Sequence, residues 1–226
     1  MPAHKLPDKD REWTPSLAWI VGLLTTDGCL SNNGRTIILR SSDLQLLRTA
    51  KKELKISNKI GVSHHNGWSK KPSYRIQFGG VQLYRWLIKI GLSPAKTKTI
   101  GALEIPDIYF QDFLRGHLDG DGSIITYKDY YNTYKNPKYI YDRLWLRFIS
   151  ASPKHIKWLR RRIHALTTLR GHLWEQRILQ PRQTVSMWML KFGKKDSTKL
   201  LNWMYYSRDI PCLKRKREKA KRFLIA

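Results

Sequence analysis

From position 17 to 24 the chain is apolar at every residue except Gly22. The run is too short to cross a bilayer and reads as a buried helix. Thr14 and Pro15 supply its start, a hydroxyl cap followed by a proline at the first helical position. Gly28 beyond it is the expected left-handed terminator. The pattern then changes. A hairpin-like stretch ends in Ile37-Ile38-Leu39-Arg40-Ser41-Ser42, and Asp43 is a good N-cap for an amphipathic helix carrying Leu44, Leu47, Ala50 and Leu54 on one side. Residues 73–78 alternate strictly, Ser73, Arg75 and Gln77 against Tyr74, Ile76 and Phe78, which predicts a half-buried strand. A further helix follows over 81–90.

The second half repeats this plan. Residues 20–28 read I-V-G-L-L-T-T-D-G and residues 114–122 read L-R-G-H-L-D-G-D-G, an offset of 94 from Gly22 to Gly116 and from Asp27 to Asp121. After the second copy come Leu144-Trp145-Leu146-Arg147-Phe148-Ile149 and a helix opened by Ser152 and Pro153, with Ile156, Leu159 and Ile163 along one face. Two strand candidates lie within 171–179 and 184–192, and a helix spans 197–206. The prediction is an α+β chain of two pseudo-symmetric αββαββα lobes, residues 1–104 and 105–226, with the seam near 103–106.

Composition narrows the partner. Among 226 residues, 43 Lys+Arg stand against 17 Asp+Glu, a net charge of +26. With 41% hydrophobic and 12% aromatic residues the chain folds rather than trailing as a basic tail. So large a charge opposes compaction unless it meets a polyanion, which points to nucleic acid. No long basic amphipathic helix favours a membrane surface, and residues 1–11 do not resemble a signal peptide. Cys29 and Cys212 are far apart and form no zinc or disulfide pattern. The seven histidines, His64 and His65 among them, have no ligand spacing and read as surface or groove residues.

The repeated motif carries chemistry. Gly22 and Thr26, like Gly116 and Gly120, are four apart and leave a smooth strip on which two helices can pack backbone to backbone. Asp27 and Asp121 then stand at the negative ends of both helices. Packed side by side, two such carboxylates need a cation or a shared proton. Hard oxygen ligands at an open site favour magnesium, which can activate water and stabilise the leaving oxygen of a phosphodiester. A single Asp-Gly is an ordinary helix ending; two in matching contexts are not.

The paired motifs resemble those of the LAGLIDADG homing endonucleases in their single-chain, two-repeat form. The likeness runs from about Pro15 to the C-terminal helix. The second copy matches well at Leu114, Gly116, Leu118, Asp119, Asp121 and Gly122. The first is looser, with Ile20, Val21 and Thr25 where Leu, Ala and an acid are commonest. The resemblance implies a four-stranded antiparallel sheet in each lobe, together forming a saddle on double-stranded DNA. It implies a staggered cut across the minor groove, with magnesium as metal and calcium as a non-cleaving substitute. Asp27 and Asp121 would be the metal-binding and catalytic acids, and the backbone carbonyls of Thr26 and Gly120 would join the metal shell. It also implies a lysine from each half near the cleaved phosphates. Ser93-Pro94-Ala95-Lys96-Thr97-Lys98-Thr99 fits the first, with Lys96 favoured over Lys98; the second should lie in Pro211-Cys212-Leu213-Lys214-Arg215-Lys216, with Lys214 favoured.

The polar strand faces are the candidates for DNA contact. Arg75 and Gln77 point together, as do Arg143 and Arg147, and Arg35, Arg40, Arg177 and Arg182 have similar character. Arginine reads guanine and glutamine reads adenine in the major groove. Residues 127–141 interleave tyrosines with lysines and suit a loop that wraps DNA. The function expected is site-specific double-strand cleavage, intron- or intein-associated, by a monomer inside a prokaryotic cell or an organelle with its own genome. The rival is a non-cleaving nucleic-acid-binding protein of the same fold, an intron RNA maturase or a transcription regulator. Keeping both Asp27 and Asp121 argues for the cutter.

Overall fold

A computed structural model describes residues 11–63, 72–176 and 186–224. Thr14 caps helix α1 (Pro15–Thr26), its hydroxyl accepting from Leu17 N at 3.1 Å. A helix apolar on all sides must be buried on all sides, and every residue from Ala18 to Thr25 is buried. The first lobe continues with β1 (Gly28–Leu30), β2 (Thr36–Ser41), α2 (Leu44–Glu53), β3 (Ile60–Ser63), β4 (Ser73–Gly79) and α3 (Val81–Lys89). The second repeats the series as α4 (Phe110–Asp119), β5 (Ser123–Asp129), β6 (Tyr141–Ser150), α5 (Pro153–Thr167), β7 (His172–Gln176), β8 (Met187–Phe192) and α6 (Lys194–Met204). The sheets are antiparallel, in the orders β1-β2-β4-β3 and β5-β6-β8-β7. The α+β architecture with two four-stranded sheets is thus the one the pattern predicts. A further helix, α7 (Lys214–Ala220), follows α6 in the second half. Among the described residues no helix is long and apolar enough to cross a membrane.

One face of each sheet meets the helices. Leu39, Ile76 and Phe78 are buried in the first lobe, and Leu146, Phe148, Leu190 and Phe192 in the second. Between the lobes, α1 lies against α4 at a distance only glycine permits. A Cβ on Gly22 would stand 2.6 Å from His117 N, and one on Gly116 would stand 3.1 Å from Gly22 Cα. Trp19 Nε1 donates to Asp119 Oδ2 across this seam at 2.9 Å. Beside it, Arg115 is fully buried, paired with Asp112 at 2.6 Å and donating to the carbonyls of Met204 and Pro211.

Three expectations are corrected. Gly28 is not left-handed; it opens β1, and a side chain there would meet Leu24 Cα at 2.5 Å, so close approach rather than positive φ requires the glycine. Asp43 occupies the N-cap position of α2 without a side-chain cap bond, and its carboxylate pairs instead with Arg215 Nε at 2.9 Å. Two histidines are core residues. His117 and His155 are buried with their Nε2 atoms 3.2 Å apart, and His155 Nδ1 lies 2.8 Å from the Gly101 carbonyl. Burial drives both below the usual imidazole range, His155 to about 4, so they are neutral packing groups.

Candidate active site

Because α1 and α4 pack along their glycine strips, their C-terminal ends arrive together, and with them Asp27 and Asp121. Asp27 Oδ2 lies 3.2 Å from where a Cβ on Gly120 would stand, against the residue that precedes Asp121. Burial first, and then repulsion from Asp121, push the Asp27 carboxyl up to about 7, against the opposing pull of Lys216 and Lys96. Asp121 is more open to water, yet the protein around it still raises its carboxyl, with Lys216 and Lys96 again opposing.

The two lysines come from the segments that follow α3 and α6. Lys96 is buried between Leu92 and Ile100, four residues to either side, and its Nζ donates to the Gly28 carbonyl. In the second half the structure places Lys216, not Lys214, in the corresponding position. Lys216 Nζ donates to the carbonyls of Leu118, Asp119, Gly120 and Gly122 at 2.6, 2.8, 2.9 and 2.7 Å. The first two are carbonyls that the last turn of α4 leaves without helical partners, and the other two belong to the connection to β5. Lys214 is exposed at the start of α7, where its backbone N–H donates to Gln45 Oε1 at 2.9 Å. The sequence held a signal for this: Leu213, Lys216 and Ala220 follow helical spacing and are all buried, so Lys216 lies on the inward face of α7. Burial pulls Lys216 down to about 8 and lowers Lys96 as well, while the nearby acids act against that shift.

Asp119, the earlier acid of the second motif, turns away from the pair. It is buried and accepts at Oδ2 from Trp19 Nε1 and from Leu213 N, both at 2.9 Å. It therefore ties α1 and the segment leading to Lys216 onto α4. Thr25, its counterpart in the first motif, satisfies itself on the Val21 carbonyl at 2.7 Å. Thr26 spends its hydroxyl on the carbonyls of Gly22 and Leu23. Two neighbouring carboxylates of raised proton affinity are the donor chemistry of a hard divalent cation, and they fit such an ion; the Gly120 carbonyl already accepts from Lys216 Nζ at 2.9 Å.

The outward sheet faces lie opposite the helices. Arg40 stands directly across from Arg75, and Gln77 across from Ile38. Like charges in register repel, so Arg40 and Arg75 are a site that an anion would relieve. Arg35 is exposed in the turn before β2. In the second lobe Arg143 faces outward and is tied to Asp129 at 2.7 Å, and Arg147 is in register with Lys191. Arg177 and Arg182 lie outside the described residues. The tyrosines of 127–141 are exposed, Tyr131 and Tyr134 most of all, and do not form a buried cluster.

No protein-family model matches this sequence, and no curated protein matches it. Solved structures do match. Full-length DUF199/WhiA from Thermotoga maritima has a TM-score of 0.52 at 15% identity over 94% of this chain, which spans 61% of that one. The homing endonuclease I-DmoI, solved in complex with DNA and Ca, has a TM-score of 0.55 at 14% identity, covering 90% of this chain and 96% of its own. The LAGLIDADG meganuclease I-AabMI, solved on uncleaved DNA, has a TM-score of 0.57 at 16% identity, covering 93% and 89%. This chain has the LAGLIDADG fold. Its α1 and α4 pack against each other at the seam between the lobes, with Asp27 and Asp121 just beyond their C-terminal ends.

The raised carboxyl has a consequence for stability in this LAGLIDADG chain. Between about pH 4 and pH 7 the folded protein holds a proton on Asp27 that the unfolded chain has released. Stability at this position therefore falls as pH rises through that window and is level above it. Asp27→Asn removes the effect. Without divalent metal, the variant is expected to melt a few degrees above the parent at pH 8, reflecting about 1–2 kcal/mol after solvent screening. The gap should close by pH 4, as thermal melts across the range would record.

Proposed function

We propose that this chain is a site-specific endonuclease that makes a double-strand cut in DNA by divalent-metal-dependent phosphodiester hydrolysis. In this reading it is a homing-type enzyme of an intron or intein and works as a monomer, since both motif helices are in one chain. The observation that carries the proposal is the meeting of Asp27 and Asp121 at the ends of two glycine-packed helices, flanked by the buried Lys96 and Lys216. The solution of I-DmoI with DNA and Ca, and of I-AabMI on DNA, supports it.

Asp27 and Asp121 would hold the metal, magnesium for cleavage with calcium as the non-cleaving substitute. A bound divalent ion supplies charge for the phosphate oxygens and lowers the pKa of a coordinated water. Lys96 and Lys216 keep the motif ends in place and bring positive charge to a site where a phosphate must approach two acids. Arg40, Arg75, Gln77, Arg143 and Arg147 would face the major groove, where a β-ribbon fits. A protein of this fold that only binds nucleic acid has no use for two carboxylates forced together at a cost. The test is selection of duplexes from a randomised library in calcium, followed by addition of magnesium. Cleavage on magnesium addition alone is expected; retained duplexes that stay intact in magnesium would leave only a binding protein.

A further inference from the structure

The two outward sheet faces differ in kind. In the first lobe's described strands, Ile38 is the one large apolar side chain at an outward register position, among Arg40, Arg75 and Gln77. In the second lobe the register turns Ile125, Trp145, Ile149, Met189 and Trp174 outward. Ile125 faces Trp145 across β5 and β6, Ile149 faces Met189 across β6 and β8, and Met189 faces Trp174 across β8 and β7. Their chain neighbours Leu144, Leu146, Phe148 and Leu190 point into the core, so the alternation leaves these five on the solvent side, all partly exposed. Half-exposed apolar groups on a face opposite the core mark a contact surface rather than a packing need.

Cations border this strip. Arg147 and Lys191 lie within it in register, Lys191 Nζ stands 3.3 Å over the Trp145 ring, and Arg143 stands at its β6 end. An apolar strip set among cations suits a surface whose edges are anionic and whose floor carries methyl groups. The major groove of thymine-rich DNA is such a surface, because thymine alone offers a C5 methyl there.

Resting on the endonuclease reading above, we infer that the lobes read their half-sites by different chemistry. The first lobe reads purines through Arg40, Arg75 and Gln77. The second reads thymine methyls through Ile125, Trp145, Ile149 and Met189. One half of the preferred site is therefore thymine-rich, and discrimination there depends on the methyl rather than on hydrogen bonding.

The probe is the duplex that the full chain enriches from a randomised library in calcium, remade with deoxyuridine for every thymidine in one half at a time. Uracil keeps the base pair and loses only the methyl. Substitution in one half is expected to weaken binding by roughly fourfold per buried methyl, and substitution in the other half to change little. In the double variant Ile149→Gln with Met189→Gln, the weakening should shrink to the part carried by Ile125 and Trp145, while the response of the other half stays the same. Insensitivity of both halves to deoxyuridine, or a sensitivity untouched by the double variant, would overturn the inference while leaving DNA recognition standing. Failure of the library to enrich any duplex would overturn the endonuclease reading, and the inference with it.

Discussion

Asp27→Asn and Asp121→Asn are each expected to abolish double-strand cleavage while leaving DNA affinity within a few-fold of the parent. The two carboxylates stand together at two helix C-termini, where the proposed reaction brings a phosphate, and Asp27 is already raised to about 7 by burial and by Asp121. Removing one charge relieves that repulsion, so binding is kept or slightly improved. In the proposed mechanism it also removes a metal ligand, and the loss of several kcal/mol of transition-state stabilisation would correspond to a thousandfold or more in rate. Single-turnover cleavage and equilibrium binding in calcium, measured on both variants, separate the two effects. Near-parental rates in both variants would reduce these aspartates to helix ends.

Lys216→Met should damage the protein in a way that Lys214→Met does not. The Lys216 ammonium serves four carbonyls at the end of α4, and methionine leaves them without that donor in a dry setting. An unsatisfied buried polar group costs about 1–3 kcal/mol. A total of about 3 kcal/mol, or a melting point lower by roughly 6–12 °C, is therefore expected. Cleavage should be lost as well, because the same carbonyls set the position of Asp121. Lys214 is exposed, and its backbone rather than its side chain makes the contact with Gln45. Its replacement should cost under about 0.5 kcal/mol and leave cleavage within a few-fold. Equal effects at the two positions would contradict the geometry.

That contrast shows where sequence reading succeeds and where it stops. The glycine strip of α1 and α4, the alternation of β4 and the proline-started α5 are local patterns, and each became the expected element. The pairing of Asp27 with Asp121 was legible because repetition places equivalent residues on equivalent helix ends. The choice between Lys214 and Lys216 was not settled by likeness of turns, since the second half makes a helix where the first makes a turn; only the spacing from Leu213 to Ala220 marks the inward face. The roles of Asp119, held by Trp19 from the other lobe, and of the His117–His155 pair depend on partners 100 and 38 residues away. No local pattern announces such partners. Gly28 was expected as a left-handed terminator, and is required instead by the close approach of Leu24.

The most direct measurement maps the broken ends. The full chain is incubated with its selected duplex in magnesium, and the termini of both strands are sequenced alongside a calcium control. Breaks in both strands, at a fixed offset across the minor groove and only in magnesium, are the predicted result. Breaks that persist without divalent metal, or a duplex left whole in magnesium, would contradict a metal-dependent site built on Asp27 and Asp121.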